Sequence, residues 1–461
     1  MNLLTKHQHQ TCQAALSAPG ACRQATPNRV TTAVADACAA TAHGRHATNV
    51  RSQGRNASGM ARFSSGLRAL TLTAMSIRLQ AGGYPTTLIL PPLPRPRDII
   101  ISRDLDRTSR FYLAHFSESV CKDLVVRDTP ESNPFRELIP LTRKHPLLFQ
   151  VLIATSAIHW SNVFRRVTKI PTGIPNPGDY LSVLRSKDLS DNQSWRAHLE
   201  GATSIMALLN PDSNPDASSR MLRDRVITDS FIYNILGSTL TSGGLAARVA
   251  RQAFQFLPVM KRVELTSYLS CPPEILNIIL SASELSHEVP WTDQSLGAAD
   301  KALALIDEAL AVDIPAWADY LRQHNITQDL DSRVRLALAH RSAACLYILQ
   351  ALPLVRSLRS IDTEFLLQDV LSNLALIDEN DPYFKASSWP TFVAGAETRD
   401  PERRTWTLSR LLSIWQICPW GYLFTAIEML KATWAMQDTR GTDNVNWLHD
   451  LRGMGFENLI V

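Results

Sequence analysis

Strand signals are scarce in this chain, and that constrains its fold more than any other feature. Two short runs have strand character, TTLIL (86–90) and DIIIS (98–102), and the proline-rich PPLPRPR (91–97) separates them. That separator reads as an extended linker. After Asp104 the apolar residues recur at three- and four-residue spacing in one segment after another, which is the period of an amphipathic helix. The expected fold class is therefore all-α, a multi-helix globular body with short connections.

In 108–126, Tyr112, Phe116, Val120 and Leu124 form one apolar stripe at four-residue spacing. In 145–166, Pro146 suits a first helical position, and Leu148, Val151, Leu152, Thr155, Ile158 and Asn162 follow at helical spacing. This segment is apolar nearly all round as far as Arg165-Arg166, so it is expected near the centre of the core. The segment IPTGIPNPGDY (170–180) reads as a loop from its Pro and Gly content. A further helix is predicted from Pro273, with Ile275, Leu276, Ile279 and Leu280 buried. The stretches 298–310 and 331–352 repeat the pattern; in the second, Val334, Leu338, Cys345, Ile348, Leu349 and Leu352 share a side.

The front of the chain differs in kind. Residues 1–97 carry 11 Lys/Arg and one acid, Asp36, a balance of 11 − 1 = +10. The whole chain has a net charge of +4, which leaves 4 − 10 = −6 for the remainder. Rich in Ala, Ser and Arg and poor in hydrophobic periodicity, residues 1–85 cannot bury enough apolar surface to offset chain entropy and are expected to be disordered. The organisation predicted is a basic segment over 1–85, a proline-containing linker over 86–103 and a helical body over 104–461. The basic front admits three readings: a mitochondrial transit peptide, an arm that brushes nucleic acid, or a solvated tail. No secretory signal is expected, because no sufficient apolar run follows Met1–Leu4.

Cysteines stand at 12, 22, 38, 121, 271, 345 and 418, an odd number with no Cys-x-x-Cys pair. That usage points to a reduced, intracellular protein. Signatures of catalysis are missing. No Gly-x-Gly-x-x-Gly follows a strand, no Gly-x-Ser-x-Gly or His-Glu-x-x-His occurs, and Gly237, Gly243 and Gly244 lack the spacing of a phosphate loop. His7, His9, His43 and His46 lie in the basic front without the fixed set of ligands that a metal site needs. Glu397, Thr398 and Asp400 in TFVAGAETRDPE (391–402) have no neighbour to set two carboxyls apart, so they read as a helix start whose acids complement the dipole. No catalytic, metal or cofactor residue is assigned, and the chain is expected not to be an enzyme.

The stretch SIWQICPWGYLFTAIEMLKATW (413–434) requires a decision. A nucleophilic cysteine needs an electropositive, partly exposed setting. Around Cys418 stand Trp415, Ile417, Pro419, Trp420, Tyr422 and Phe424, with no cation before Lys431. Leu411–Ile427 holds 17 uncharged residues, the lower limit for a membrane span, but Gln416, Pro419 and Gly421 interrupt it. The prediction is a buried, inert Cys418 beside a helix break, with a new helix over about Tyr422–Trp434.

Six blocks in order carry a resemblance. They are FYLAHFSESVCKDLVVRDTPESNPFRELIPLTRKHPLLFQVLIATSAIHWSN (111–162), WRAHLEGATSIM (195–206), SCPPEILNIILSASEL (270–285), WPTFVAGAETRDPERRTW (389–406), WQICPWGYLFTAIEMLKATW (415–434) and WLHDLRGMGFENLIV (447–461). Together they resemble the regulatory, or middle homology, domain of fungal zinc-cluster transcription factors, over about Asp104 to Val461. The resemblance implies an all-helical domain that tunes activation, in a nuclear regulator of metabolic or secondary-metabolite genes. Its motif positions here are Trp195, His198, Leu199, Trp415, Cys418, Pro419, Trp420 and Gly421, read as structural core. It implies other transcription regulators or a second copy as partners, a small-molecule effector in some cases, and no membrane. Two departures stand out. The family's amino-terminal zinc cluster needs six cysteines opening with Cys-x-x-Cys, whereas Cys12, Cys22 and Cys38 are spaced by 10 and 16. No zinc cofactor is therefore expected in this chain, and DNA is reached directly by the basic front or through a partner. In addition, LSVLRSKDLSDNQSW (181–195) joins two blocks that the family separates by a further helix. The alternative is an interaction or scaffold protein without DNA contact, in the mitochondrion or cytoplasm.

Overall fold

The computed structural model describes residues 105–129, 133–164, 217–241, 257–264, 267–288, 296–324, 328–440 and 445–461. The expected disordered segment, the two strand candidates, the loop at 170–180, the junction at 181–195 and the motif residues Trp195, His198 and Leu199 lie outside them. Every regular element among the described residues is helical, so the all-α class holds.

The first layer begins with α1 (Arg107–His115), whose N-cap Asp106 accepts hydrogen bonds from the backbone of Thr108 and Ser109 at 2.8 and 3.0 Å. A π-helical turn (Phe116–Val120) follows, and then a last α turn, α2 (Cys121–Asp123). The π turn explains the four-residue stripe. Successive residues four apart drift by about 40° on an ordinary helix of about 3.6 residues per turn. A wider turn cancels part of that drift, and Tyr112, Phe116 and Val120 all point inward, while Leu124 is only half-buried.

After a 3₁₀ turn (Pro134–Glu137) and α3 (Leu138–Leu141), α4 (Pro146–Phe164) packs on α1 and the π turn. Pro146 starts it as predicted. Its expected central position is corrected: Val151 and Ile158 are 49% and 44% exposed, and the buried face is Leu152, Ile153, Ser156, Ala157, His159, Trp160 and Asn162. An apolar side chain is buried only where a neighbour covers it, and α1 covers one side of α4.

The body contains α5 (Ala217–Thr239), α6 (Leu257–Val263), α7 (Pro273–Glu288), α8 (Leu296–Ala311), α9 (Ile314–Gln323) and α10 (Leu330–Ala351). It continues with α11 (Val355–Leu358), α12 (Thr363–Ala375), a 3₁₀ turn (Phe384–Ser387), α13 (Ser388–Glu397), α14 (Pro401–Ile417), α15 (Tyr422–Arg440) and α16 (Trp447–Gly453). The central helix is α10, against which α7, α8, α9, α12, α13 and α16 all pack. Every residue from Ser342 to Ala351 is buried. Ala337, Ala339, Ala343 and Ala344 reach no further than Cβ, which lets neighbouring helices close in from several sides. Cys345, Ile348, Leu349 and Leu352 are buried as predicted, whereas Val334 and Leu338 are half-buried.

Two apolar clusters result. The smaller unites α1 to α4 and the larger surrounds α10. A close helix crossing at Gly395 on α13 tightens the larger one. A Cβ there would stand 3.0 Å from Leu430 Cδ1 and 3.0 Å from Thr407 Oγ1, and Trp434 Nε1 donates to the Gly395 carbonyl at 2.8 Å.

Candidate functional site

The break predicted in 413–434 is where the two clusters meet. α14 ends at Ile417, with the Cys418 N–H donating to Ile414 O at 2.8 Å. Pro419 cannot extend that helix, and α15 starts at Tyr422 and runs on to Arg440, past the expected end at Trp434. Trp415 and Cys418 are 8% and 5% exposed, and Pro419 is buried. Trp415 packs edge-on to Phe424 at 4.6 Å within the larger cluster. Trp420 turns the other way: half-buried, it packs against the smaller cluster and meets the His159 ring edge-on at 5.2 Å. Gly421 accepts from the N–H groups of Phe424 and Thr425 as a helix start; a Cβ there would come no nearer than 3.9 Å to Asn162 Nδ2.

Between the clusters lies a cavity of about 220 Å³. Its described walls come from six separate stretches: Asp123 and Leu124 after α2, Tyr233 on α5, Tyr268 ahead of α7, Lys385, Cys418 to Tyr422, and Leu459 with Val461 behind. Lys385 sits on the 3₁₀ turn before α13. Its ammonium crosses to the first layer and donates to the carbonyls of Lys122, Asp123 and Val125 at 2.9, 2.8 and 2.6 Å. One cation thereby satisfies the carbonyls left open where α2 ends. Burial holds its pKa below the ordinary lysine value, against the pull of nearby Cys418 and Asp123. The turn that carries Lys385 is itself fixed by Arg410, which is buried and donates to Ser387 Oγ at 3.1 Å and to Ile377 O at 3.1 and 3.2 Å. Desolvation pulls the Arg410 pKa down to about 10.

Asp123 has a second task. Its Oδ2 pairs with His159 Nε2 at 3.0 Å, and His159 Nδ1 pairs with His115 Nε2 at 2.8 Å. With neutral rings, each Nε2–H donates one step towards the carboxylate. Burial, and then the neighbouring His159, lower the His115 pKa to about 3. The outer side of His115 is closed by Phe111 at 6.3 Å and Trp160 at 5.1 Å. This chain knits α1, α2 and α4 together. Sequence reading missed it, because its members are 36 and 44 residues apart and no local spacing announces them.

The tyrosines complete the wall. Tyr422 Oη donates to Val461 O at 2.7 Å. Tyr268 is 7% exposed, and its buried hydroxyl has no hydrogen-bond partner among the described residues, a loss of roughly 1–3 kcal/mol for such a group. Burial pushes the Tyr268 and Tyr422 pKa values well above the ordinary range, so both remain neutral.

Of the acids singled out in 391–402, Asp400 caps α14, accepting from Arg403 N at 2.8 Å, and Thr398 is buried just beyond α13. Glu397 departs from the expectation. It ends α13 rather than starting a helix, and its Oε1 accepts from Trp447 Nε1 at 2.9 Å. Its burial raises its carboxyl pKa. Among the described residues, no group of three or more His, Cys, Asp or Glu is placed to hold a metal, and no helix is long and apolar enough to cross a membrane.

An all-helical body is what the regulatory-domain resemblance led us to expect. The model of the fungal specific transcription factor domain matches residues 187–457, more than half of the chain, and the chain belongs to that family. Its class is therefore that of the fungal transcription regulators. Among individual proteins, it is similar to the acriflavine sensitivity control protein acr-2 of Neurospora crassa, 32% identical over 426 residues, covering 82% of this chain and 70% of that protein. No solved structure matches it.

Proposed function

We propose that this protein acts in the nucleus as a regulator of a metabolic or secondary-metabolite gene set, and that residues 104–461 serve as one effector domain. The observation that carries this reading is the family match over residues 187–457. The similar Neurospora protein is named for control of acriflavine sensitivity, which puts genes for handling small toxic molecules within the proposed set. The body does no chemistry of its own in this reading. In support, the Asp123–His159–His115 chain ends against Phe111 and Trp160. Sequence-specific DNA contact comes through a partner regulator, and the basic front adds weak, sequence-blind attraction.

Deleting the gene and profiling transcripts, alongside imaging of a tagged full-length chain, tests the proposal. A nuclear signal and a coherent set of altered metabolic transcripts are expected. A chain outside the nucleus whose deletion changes no transcript set overturns it. The +10 balance of residues 1–97 favours a second reading, a mitochondrial scaffold derived from such a regulator. Fractionation that finds the chain uncleaved in nuclei removes that reading.

A further inference from the structure

The first layer, over residues 105–164, meets the rest of the helical body through few described groups. Its apolar cluster is separate from the larger one. Across the seam, half-buried Leu222 and Trp420 pack on the smaller cluster, and half-buried Val126 packs on the larger. The 3₁₀ turn (Pro134–Glu137) is the described element of the layer that packs along a body helix, α5. The cavity of about 220 Å³ leaves part of the same seam unfilled, and side chains that line a gap lose dispersion contacts there. The described polar links converge on one short stretch, 122–127. The carbonyls of Lys122, Asp123 and Val125 accept from Lys385 Nζ at 2.9, 2.8 and 2.6 Å. The Leu124 carbonyl accepts from Arg225 Nη2 at 3.1 Å, and Arg127 Nη2 pairs with Asp329 Oδ2 at 2.6 Å.

A helical segment of about 60 residues buries too little surface to be more than marginally stable by itself, so a layer that leaves the body also unfolds. We propose that the seam is a two-state latch: residues 105–164 open and unfold as one unit while the helices around α10 stay folded, and Lys385 is the bolt that holds the unit closed. One ammonium serves three carbonyls, so its withdrawal hydrates all of them together and the opening is cooperative. Helix α10, in contrast, is buried throughout Ser342–Ala351 and packed by six helices. The open state uncovers the sides of Leu222 and Trp420 that the smaller cluster covers when the seam is shut. Any molecule that binds those surfaces, or the released layer, draws the equilibrium open. The opening is a property of the helical body and holds in a nuclear regulator and in a scaffold alike.

Two buried thiols read the latch. Cys121 lies in the smaller cluster and Cys345 on α10. Burial pushes both thiols up to about 12, so a difference in their labelling reports exposure and not acidity. Purified full-length protein is treated with iodoacetamide in urea below the unfolding midpoint, and the labelled peptides are quantified by mass spectrometry. Amide hydrogen exchange on the same samples follows whole elements. Cys121 should label at least about tenfold faster than Cys345, and the amides of α1 to α4 should share one opening free energy below that of α10. Lys385→Met should speed labelling of Cys121 about a hundredfold and leave Cys345 unchanged. Arg127→Gln removes only a half-exposed ion pair and should speed Cys121 about twofold to fivefold. Equal rates at Cys121 and Cys345 in wild type overturn the proposal, as do substitutions at 385 and 127 that move both thiols together or neither. If Lys385→Met does not fold, the wild-type rates and Arg127→Gln decide.

Discussion

Cys418 was legible as a buried residue from its apolar neighbours in sequence, and it is 5% exposed. What the local sequence did not reveal is Lys385, brought beside the same cavity from another element. All four described cysteines are buried, and burial pushes the Cys121 and Cys345 thiols up to about 12. At neutral pH the thiolate is scarce, so a thiol reagent should label these two at least about a hundredfold more slowly in native protein than in urea. Mass spectrometry of the labelled peptides reads this directly. Lys385→Met leaves three carbonyls without their donor and should cost about 2–4 kcal/mol, seen as a lower urea midpoint. The two glycines separate in the same assay. Gly395→Ala meets Leu430 and Thr407 at 3.0 Å and should cost about 1–3 kcal/mol. Gly421→Ala has open space and gives up only a modest helix-start preference, less than about 1 kcal/mol.

Among the elements, the legible ones had punctuation. Pro273 and Pro146 open their helices, Pro419 stands after the end of α14, and the spacing of Cys345, Ile348 and Leu349 identified α10. The π turn was hidden because it shows in sequence only as a spacing of four, which a plain helix also tolerates. The exposed side of α4 was hidden because periodicity says which residues share a face and not what covers it. Helix α10 also supports a pH prediction. His340 donates from Nδ1 to Leu336 O at 2.9 Å and stacks on Trp389 at 6.0 Å, and burial lowers its pKa to about 4. The unfolded chain takes up a proton near pH 6.5 and the folded chain does not, so His340 removes stability as pH falls from about 6.5 to about 4. The slope is about 1.4 kcal/mol per pH unit. Buried Glu397, Asp229 and Glu264, with raised pKa values, act in the opposite direction. The difference between wild type and His340→Gln isolates the histidine: the advantage of wild type at pH 7 should shrink by that slope on acidification, as measured by urea unfolding at several pH values.

For the whole molecule, the all-α class was legible because class depends on period and connection length, both local properties. The cavity was not, because six stretches spread from Asp123 to Val461 build its described walls. Charge is also a property of the whole chain. Replacing the ten arginines of residues 1–97 with glutamine should abolish salt-dependent retention on non-specific DNA and leave the urea midpoint of the helical body unchanged. Sequence-specific retention of a promoter fragment by the purified chain at physiological salt would contradict the view that specific contact is made through a partner. The Lys385 contact also sets a timetable for synthesis. It reaches back across 260 residues to Val125, and at roughly 5–20 residues per second that separation takes the ribosome about 13–52 s to translate. For that interval the first layer leaves the ribosome with the end of α2 still hydrated and Trp160 without Trp420 beside its cluster. The seam is thus the last joint the nascent chain can close, and a chaperone that shields α1 to α4 has its work defined by that wait.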